Sequence, residues 1–535
     1  MGSSQATSSH LSLPYHWDPE FSTRRNLRYQ DQNKPYVVWQ RDINPGLNTI
    51  ALFMNHDDSD PCPYQANSKV FNFCPAARCV EAFRSGGNDL KKPIALLSDS
   101  ESTLKSRHYK KALTAEELYE ALNKPWSVLA LAATANNHEA YVLRDFIYHH
   151  LAFSAMIRVE LPSEGLSTFA LCFHLPFYAL RNCKRADKRK WPDQQPLRQV
   201  EDVSFVKSPA GNNLNSAPKQ DHLHEAQISC VVTGWDETVW EAYFFIDLYY
   251  DEETAENIED YEGQMKQLPE QLDADPLMKG TFVGSARSCV RKPREYFLNI
   301  LRVRVRQVKK EWRYVVTRME EDIKVGKRFY SPCSQLDGQV RPIRFDAKDA
   351  RSTRKKFLHW TDKVIELLRK LIEKLDETVE AREKFNAGSI GYFYAPGAST
   401  NISKTDHKTL ICINEDFAEL AGLLRKLELL KDKICEDIPR DISLQFAHEN
   451  NESAIFQQAT ARDVKVLTWV TFHSIPFALV AALLSTRAGF LPLPENPWSL
   501  IISLLIMEII VWVTLMLYRL DMEWTVLSST VGSFS

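Results

Sequence analysis

The chain has 535 residues, 25% of them charged, and a formal net charge of -3. That length leaves room for two or more domains, and so small a net charge excludes a chain built to hold nucleic acid by bulk attraction. The ten cysteines (Cys62, Cys74, Cys79, Cys172, Cys183, Cys230, Cys289, Cys333, Cys412 and Cys435) form no CxxC pair, and residues 1–17 hold no apolar run of the signal-peptide kind, so the cysteines read as reduced thiols.

Residues 1–67 mix Pro, Asn, Asp and Ser with a few aromatics and are expected to be mostly irregular. Gly2 follows Met1, but Ala6 stands where an N-myristoylation signal needs Ser or Thr. Residues 68–290 read as an α+β domain. In LTAEELYEALNKP a helix is predicted to start at Thr114, with acidic residues in its first turn, and to stop at Pro125. SVLALAATA, AYVLRDFIYHHLAF and STFALCFHLPFYAL read as short apolar runs alternating with aromatic-rich, strand-like ones.

Residues 181–228 read as a flexible insertion. RNCKRADKRK is strongly basic and is followed by a stretch rich in Pro, Asn, Gln and Ser. The basic run suits a solvated loop, a contact with anionic lipid or an address signal. His222 and His224 fall in this insertion and read as surface histidines. From Ile228 a strand, a turn at Gly234 and an aromatic-rich strand or short helix are expected. The acidic stretch Asp251 to Gly263 does not have the spacing of an EF-hand loop and reads as a solvated helix start.

Residues 291–462 are predicted to form a stalk of long helices. Phe297, Leu301, Val305, Val308, Trp312, Val315 and Met319 recur every three or four residues, with a basic face opposite them (Arg302, Arg306, Lys309, Arg313). Two coiled-coil-like seams follow. Phe357, Trp360, Val364, Leu368, Leu371 and Leu375 make the first; Ile413, Phe417, Leu420, Leu424, Leu427, Ile434 and Ile438 make the second. Pro439 is expected to end or kink the second helix, and a further helix is expected from Asp441 to Leu484.

Residues 463–520 carry an apolar hairpin. Val466–Leu484, about 19 residues, holds no formal charge, and Trp498–Tyr518, about 21 residues, holds only Glu508; each spans roughly 30 Å as a helix, enough for a bilayer core. Residues 521–535 form a short tail. Arg462 and Lys465 before the first span and Arg519 after the second, against Arg487 and Glu495 in the loop, predict a multi-pass protein with both ends in the cytosol. His473 and Glu508 are ionisable residues inside these spans, and intramembrane ionisable residues usually have partners, so a hydrogen-bonded pair between the spans is expected.

Lys465 to Leu484 (KVLTWVTFHSIPFALVAALL) resembles the first-span pattern of the CorA-type magnesium transporter family, with Lys465, Val466, Leu467, Thr468 and Pro476 in register. FALCFHLPFYALR, TGWDETVWEAYFFIDLYYDE and KPREYFLNILRVRVRQVKKEW resemble a group of fungal CorA-like proteins, and together the resemblance runs from about residue 126 to about residue 520. It implies a homo-oligomer, a pentamer in that family, seated in the lipid bilayer. It also implies a pore lined by Asn450, Val464, Thr468, Thr471, Ile475, Ala478 and Ala482, and Mg²⁺ or another divalent cation as transported or regulatory ion. Ser485, Thr486 and Arg487 replace the Gly-Met-Asn of conducting members. A ring of arginines at the outer mouth suits an anion or a closed entrance better than a hydrated divalent cation.

No GxSxG, P-loop, GxGxxG or HExxH motif is present, so no enzyme and no cofactor are expected. Two functions stay open: a CorA-like cation transporter or channel, and a non-conducting membrane-anchored scaffold or sensor.

Overall fold

A computed structural model describes residues 17–25, 35–43, 47–55, 64–73, 93–99, 108–114, 131–132, 135–161, 168–187, 189–191, 193–207, 220–250, 292–330, 333–336, 339–342, 347–393, 404–484, 498, 501–513 and 516. The chain divides into two compact units. Met1–Gln339 and Ile343–Pro439 form the first; Val340–Pro342 and Arg440–Ser535 form the second.

In the first unit an antiparallel pair, β1 (Pro93–Asp99) and β2 (His108–Thr114), precedes a five-stranded sheet. That sheet holds β3 (Met156–Glu160), β4 (Phe169–Arg181), β5 (Val200–Asp202), β6 (His222–Gly234) and β7 (Trp240–Ile246). β4 and β6 pair antiparallel along their whole length, from Phe169 opposite Gly234 to Arg181 opposite His222. β3 lies outside β4, while β5 and β7 share the far edge of β6. Every residue of β4 from Phe169 to Leu180 is buried, so both faces of this strand are covered. That explains a continuous apolar run in an antiparallel strand, where one solvated face would require alternation.

The covering layers are helical. On one face, Phe169, Leu171, Phe173, Leu175 and Phe177 join a core that includes α5 (Pro293–Tyr330), α6 (Ala347–Ala387) and the start of α7 (Lys404–Leu484). On the other face, Ala170, Cys172 and Val231 join a second core with α1 (Tyr36–Ile43), α2 (Thr49–Met54), α3 (Tyr64–Phe73) and α4 (Asn137–Ala152).

The predicted helical seams coincide with these cores. Phe297, Leu301, Val305, Val308, Trp312, Val315 and Met319 are all 0% exposed. Phe357 to Leu375 on α6, and Ile413, Phe417, Leu420 and Leu427 on α7, are buried as well. Each such side chain contributes about 1.5–3 kcal/mol when it leaves water. The basic face of α5 is used rather than merely solvated: Lys309 bonds Asp416 at 2.5 Å and Glu419 at 3.1 Å, and Arg313 also bonds Glu419. Gly326 permits a close approach; a Cβ there would lie 2.0 Å from the Val206 carbonyl oxygen and 2.8 Å from the Trp360 ring. Trp360 Nε1 donates to the same Val206 oxygen at 3.2 Å.

Several expectations meet a different local structure. Within residues 1–67, α1, α2 and a 3-10 turn at Pro19–Ser22 are regular, and Trp17, Phe21, Ile50, Leu52 and Phe53 are buried. Apolar residues dispersed among polar ones are enough for short helices once a larger body covers them. AYVLRDFIYHHLA is helical: Asn136 accepts from the N–H groups of His138 and Glu139, and the Glu139 side chain accepts from Asn136 N in a capping box. Thr114 ends β2 instead of starting a helix, and residues 115–130 lie outside the described residues.

Residues 222–228, expected in the insertion, are the first half of β6, with His222 and His224 buried. Within the basic run, Arg181 makes a two-pronged bond to Glu311 at 3.0 and 2.9 Å, and Arg189 pairs with Asp187 and Asp247. Two of its cations are therefore committed to the fold. The acidic stretch 251–263 lies outside the described residues.

In the second unit, residues from Arg440 to Leu484 continue α7, and α8 spans Ile501–Val513. The helix assignment runs through Pro439, which lies inside α7 and does not end it. Proline there removes one N–H donor, the one that would reach the Cys435 carbonyl. The change of unit falls directly after this residue.

Candidate functional site

Within α7, Ser453–Ala482 is a 30-residue stretch whose most apolar 18 residues have a mean hydropathy of 1.5, with 6% of those residues buried inside the protein. It is long and apolar enough to cross a membrane. Leu467 is 68% exposed, Trp469 65% and Val464 55%. Leu467, Trp469, Val470 and Ile475 lie at different angles around the axis, so apolar surface is uncovered on all sides. A helix that is apolar all round suits either the centre of a large core or a membrane span, and among the described residues little covers this one.

Asn450, Val464, Thr468, Thr471, Ile475, Ala478 and Ala482 all lie on α7, and all are exposed. From Val464 onward their steps of three and four residues place them on one stripe. The threonines of the stripe share a geometry. Thr468 Oγ1 donates to the Val464 carbonyl at 2.7 Å, and Thr471 Oγ1 donates to the Leu467 carbonyl at 2.8 Å. A hydroxyl has one proton to give, so each of these presents only lone pairs to its surroundings. Thr460, one turn before Val464, does the same with the Phe456 carbonyl at 2.9 Å.

Ser485, Thr486 and Arg487 lie outside the described residues, as does the side chain of His473. Glu508 sits within α8, exposed, between Met507 and Ile509. The expected pairing of His473 with Glu508 therefore falls outside what the structure describes. Of the expected second span, Trp498, Ile501–Val513 and Met516 are described as helical.

A second constellation was not anticipated from the sequence. On the face of β4 and β6 that meets α4, a polar cluster stands beside the apolar residues. Ser229 Oγ lies 2.9 Å from Nδ1 of His150 and 2.9 Å from Nδ1 of His174. His150 Nε2 is 3.7 Å from Asp247 Oδ1. Arg198 Nε donates to Asp247 Oδ2 at 2.7 Å, Arg189 Nη2 stands 2.7 Å from its Oδ1, and Gln227 N donates to Oδ2 at 2.9 Å. Burial disfavours the ionised carboxylate, but Arg198 and Arg189 outweigh it and hold Asp247 well below the usual carboxylate range. Burial also lowers His150 and His174, and for His174 the neighbouring His149, His150 and Arg158 add to the effect.

Ser229, His150 and Asp247 form a row of nucleophile, base and carboxylate. Ser229 is 0% exposed, and its hydroxyl is held between two imidazoles, so the row braces the core. Two signals for this cluster were present in the sequence: the His149-His150 pair, and the alternate polar residues Gln227 and Ser229 in an apolar strand. Among the described residues no group of three or more His, Cys, Asp or Glu is arranged to hold a metal ion.

A scan against protein-family models finds no match to this chain, and a search of curated proteins finds no similar sequence.

Proposed function

We propose that this chain is a CorA-like integral membrane protein. In this reading the Ser453–Ala482 stretch of α7 crosses the bilayer and, in a homo-oligomer, lines a pathway for a divalent cation such as Mg²⁺. α8 belongs to the second span, the large α+β and helical unit stands in the cytosol, and no catalysis is assigned to the chain.

One observation carries the cation assignment. Thr468 and Thr471 turn their hydroxyl protons inward to backbone carbonyls, so the stripe offers oxygen lone pairs and no donor at those positions. Such a lining matches the oxygen preference of hard cations and their retained water shell. The small side chains of Ala478 and Ala482 leave room for that shell. The membrane assignment rests on the apolar part of this 30-residue stretch, which the described residues leave largely uncovered.

A second reading has its own support. Arg487 occupies the outer mouth in the family's register, and a ring of guanidinium groups opposes a divalent cation there. In that reading the protein is a membrane-anchored scaffold or sensor that keeps the architecture without conduction.

Flux of Mg²⁺ and other divalent cations into proteoliposomes distinguishes the two. Transport by the wild type, reduced by Thr468→Val/Thr471→Val, supports the cation pathway. Absence of flux in the wild type with gain of flux in Ser485→Gly/Thr486→Met/Arg487→Asn rejects native transport and supports the non-conducting reading.

A further inference from the structure

The buried imidazoles are arranged so that they tolerate only one protonation state. Ser229 has a single hydroxyl proton and two histidine Nδ1 atoms at 2.9 Å. His150 directs Nε2 towards Asp247, which places its proton there and leaves Nδ1 to accept from Ser229 Oγ–H. His174 must then donate from Nδ1 to Ser229 Oγ. Its Nε2 is left as a bare lone pair, buried and without a hydrogen-bond partner. His174 is itself 0% exposed.

These groups join separate layers. His150 belongs to α4, and His174 and Ser229 belong to β4 and β6 of the sheet. The helices α1, α2 and α3 share a core with α4, so whatever holds α4 to the sheet holds that whole layer. We propose that the His150–Ser229–His174 chain is an acid-sensitive latch that fastens the α4 layer to the central sheet and releases it when a proton enters at His174.

The surroundings favour release over accommodation. From α4, His149 and Asp145 face this region, but Asp145 is already bonded by Arg158 of β3 and lies 3.4 Å from His149 Nε2. Asp247 is engaged by Arg198, Arg189 and Gln227 N, and its Oδ1 lies towards His150 Nε2. Among the described residues no carboxylate is paired with His174, and Arg158 opposes a charge on it. Moving α4 away from the sheet lets water solvate the new charge. Because both imidazoles bind protons less readily folded than unfolded, the layer is fully held above the ordinary histidine range and loosens as the pH falls through and below it.

Hydrogen–deuterium exchange of the full-length protein tests the latch. Protection of peptides covering 137–152, corrected for intrinsic exchange, is expected to fall by up to about tenfold per pH unit for each proton taken up between about pH 6.5 and about pH 5. Peptides of α5 are expected to hold their protection over the same range. His174→Phe, if it gives the wild-type near-UV spectrum at neutral pH, is expected to flatten the pH dependence of the 137–152 peptides. Should that variant fail to fold, Ser229→Ala keeps both rings while removing the hydroxyl they share, and is expected to move the onset of opening to higher pH. Constant protection of wild-type α4 across the range overturns the latch. So does a folded His174→Phe with the wild-type slope, or a Ser229→Ala with an unmoved onset.

Discussion

Two stretches of α7 use the same apolar residue types and meet opposite fates. Between Leu410 and Ile434, apolar residues recur along one stripe, and Leu420 and Leu427 are 0% exposed. Between Ser453 and Ala482 they occupy every side of the helix, and Leu467 and Trp469 are about two-thirds exposed. The first stretch flanks its stripe with charges such as Lys426, Glu428 and Lys433, which are exposed, while α5 and α6 share the core with the seam. In the second, from Val466 onward, no formally charged residue defines a wet side. The contrast shows that the angular spread of apolar residues, more than their number, decides whether a helix buries its apolar side within its own unit or leaves it uncovered.

The largest effect expected from this comparison is at the buried stripe. Leu420→Ala should destabilise the protein by about 2–5 kcal/mol in urea unfolding, while Leu467→Ala should leave the same transition within about 0.5 kcal/mol. Equal losses at the two sites would erase the distinction. Charge insertion reverses the ranking. Phe477→Arg places a cation mid-span and should raise the apparent cost of membrane insertion by about 2.5–3.5 kcal/mol in a glycosylation-reporter assay.

Gly326→Ala probes the covered side of the first unit. The added Cβ meets the Val206 carbonyl and the Trp360 ring, and a loss of about 1–3 kcal/mol is expected. A pH experiment sharpens the picture of the α4 layer. Burial, then repulsion from Glu241, pushes the Glu139 carboxyl up to about 7 from 4.5. Folded protein thus keeps a proton that the unfolded chain has released, so this contribution weakens as pH rises from 4.5 to about 7. Glu139→Gln should remove that slope and stabilise the protein by about 1 kcal/mol above the window, read as thermal midpoint against pH. The smallest effect is expected at Leu429→Arg. That position is 70% exposed on the first unit, and its unfolding free energy should change by less than about 0.5 kcal/mol.

The helices were the most legible part of the fold. A recurrence of three and four residues, as from Phe297 to Met319, carries both the secondary structure and the buried face, and the structure uses all seven of those positions. The apolar segment before Leu484 was readable for the same reason, since length and composition suffice. The region from Arg181 to Ile228 was not. Its basic and polar residues suit a solvated loop, but Arg181 finds Glu311, and Arg189 and Arg198 find Asp247, from distant parts of the chain. His222 and His224 looked like surface residues because no local pattern tells that β6 is covered on both faces.

Periodicity is a local property, so the sequence by itself determined where the long helices lie, which stripe each one buries, and which stretch is apolar on every side. Burial of polar groups depends on partners far apart in the chain. Only the tertiary structure could decide that His150, His174, Ser229 and Asp247 meet between α4 and the sheet, because that meeting requires the pairing of β4 with β6 and the docking of α4 across them.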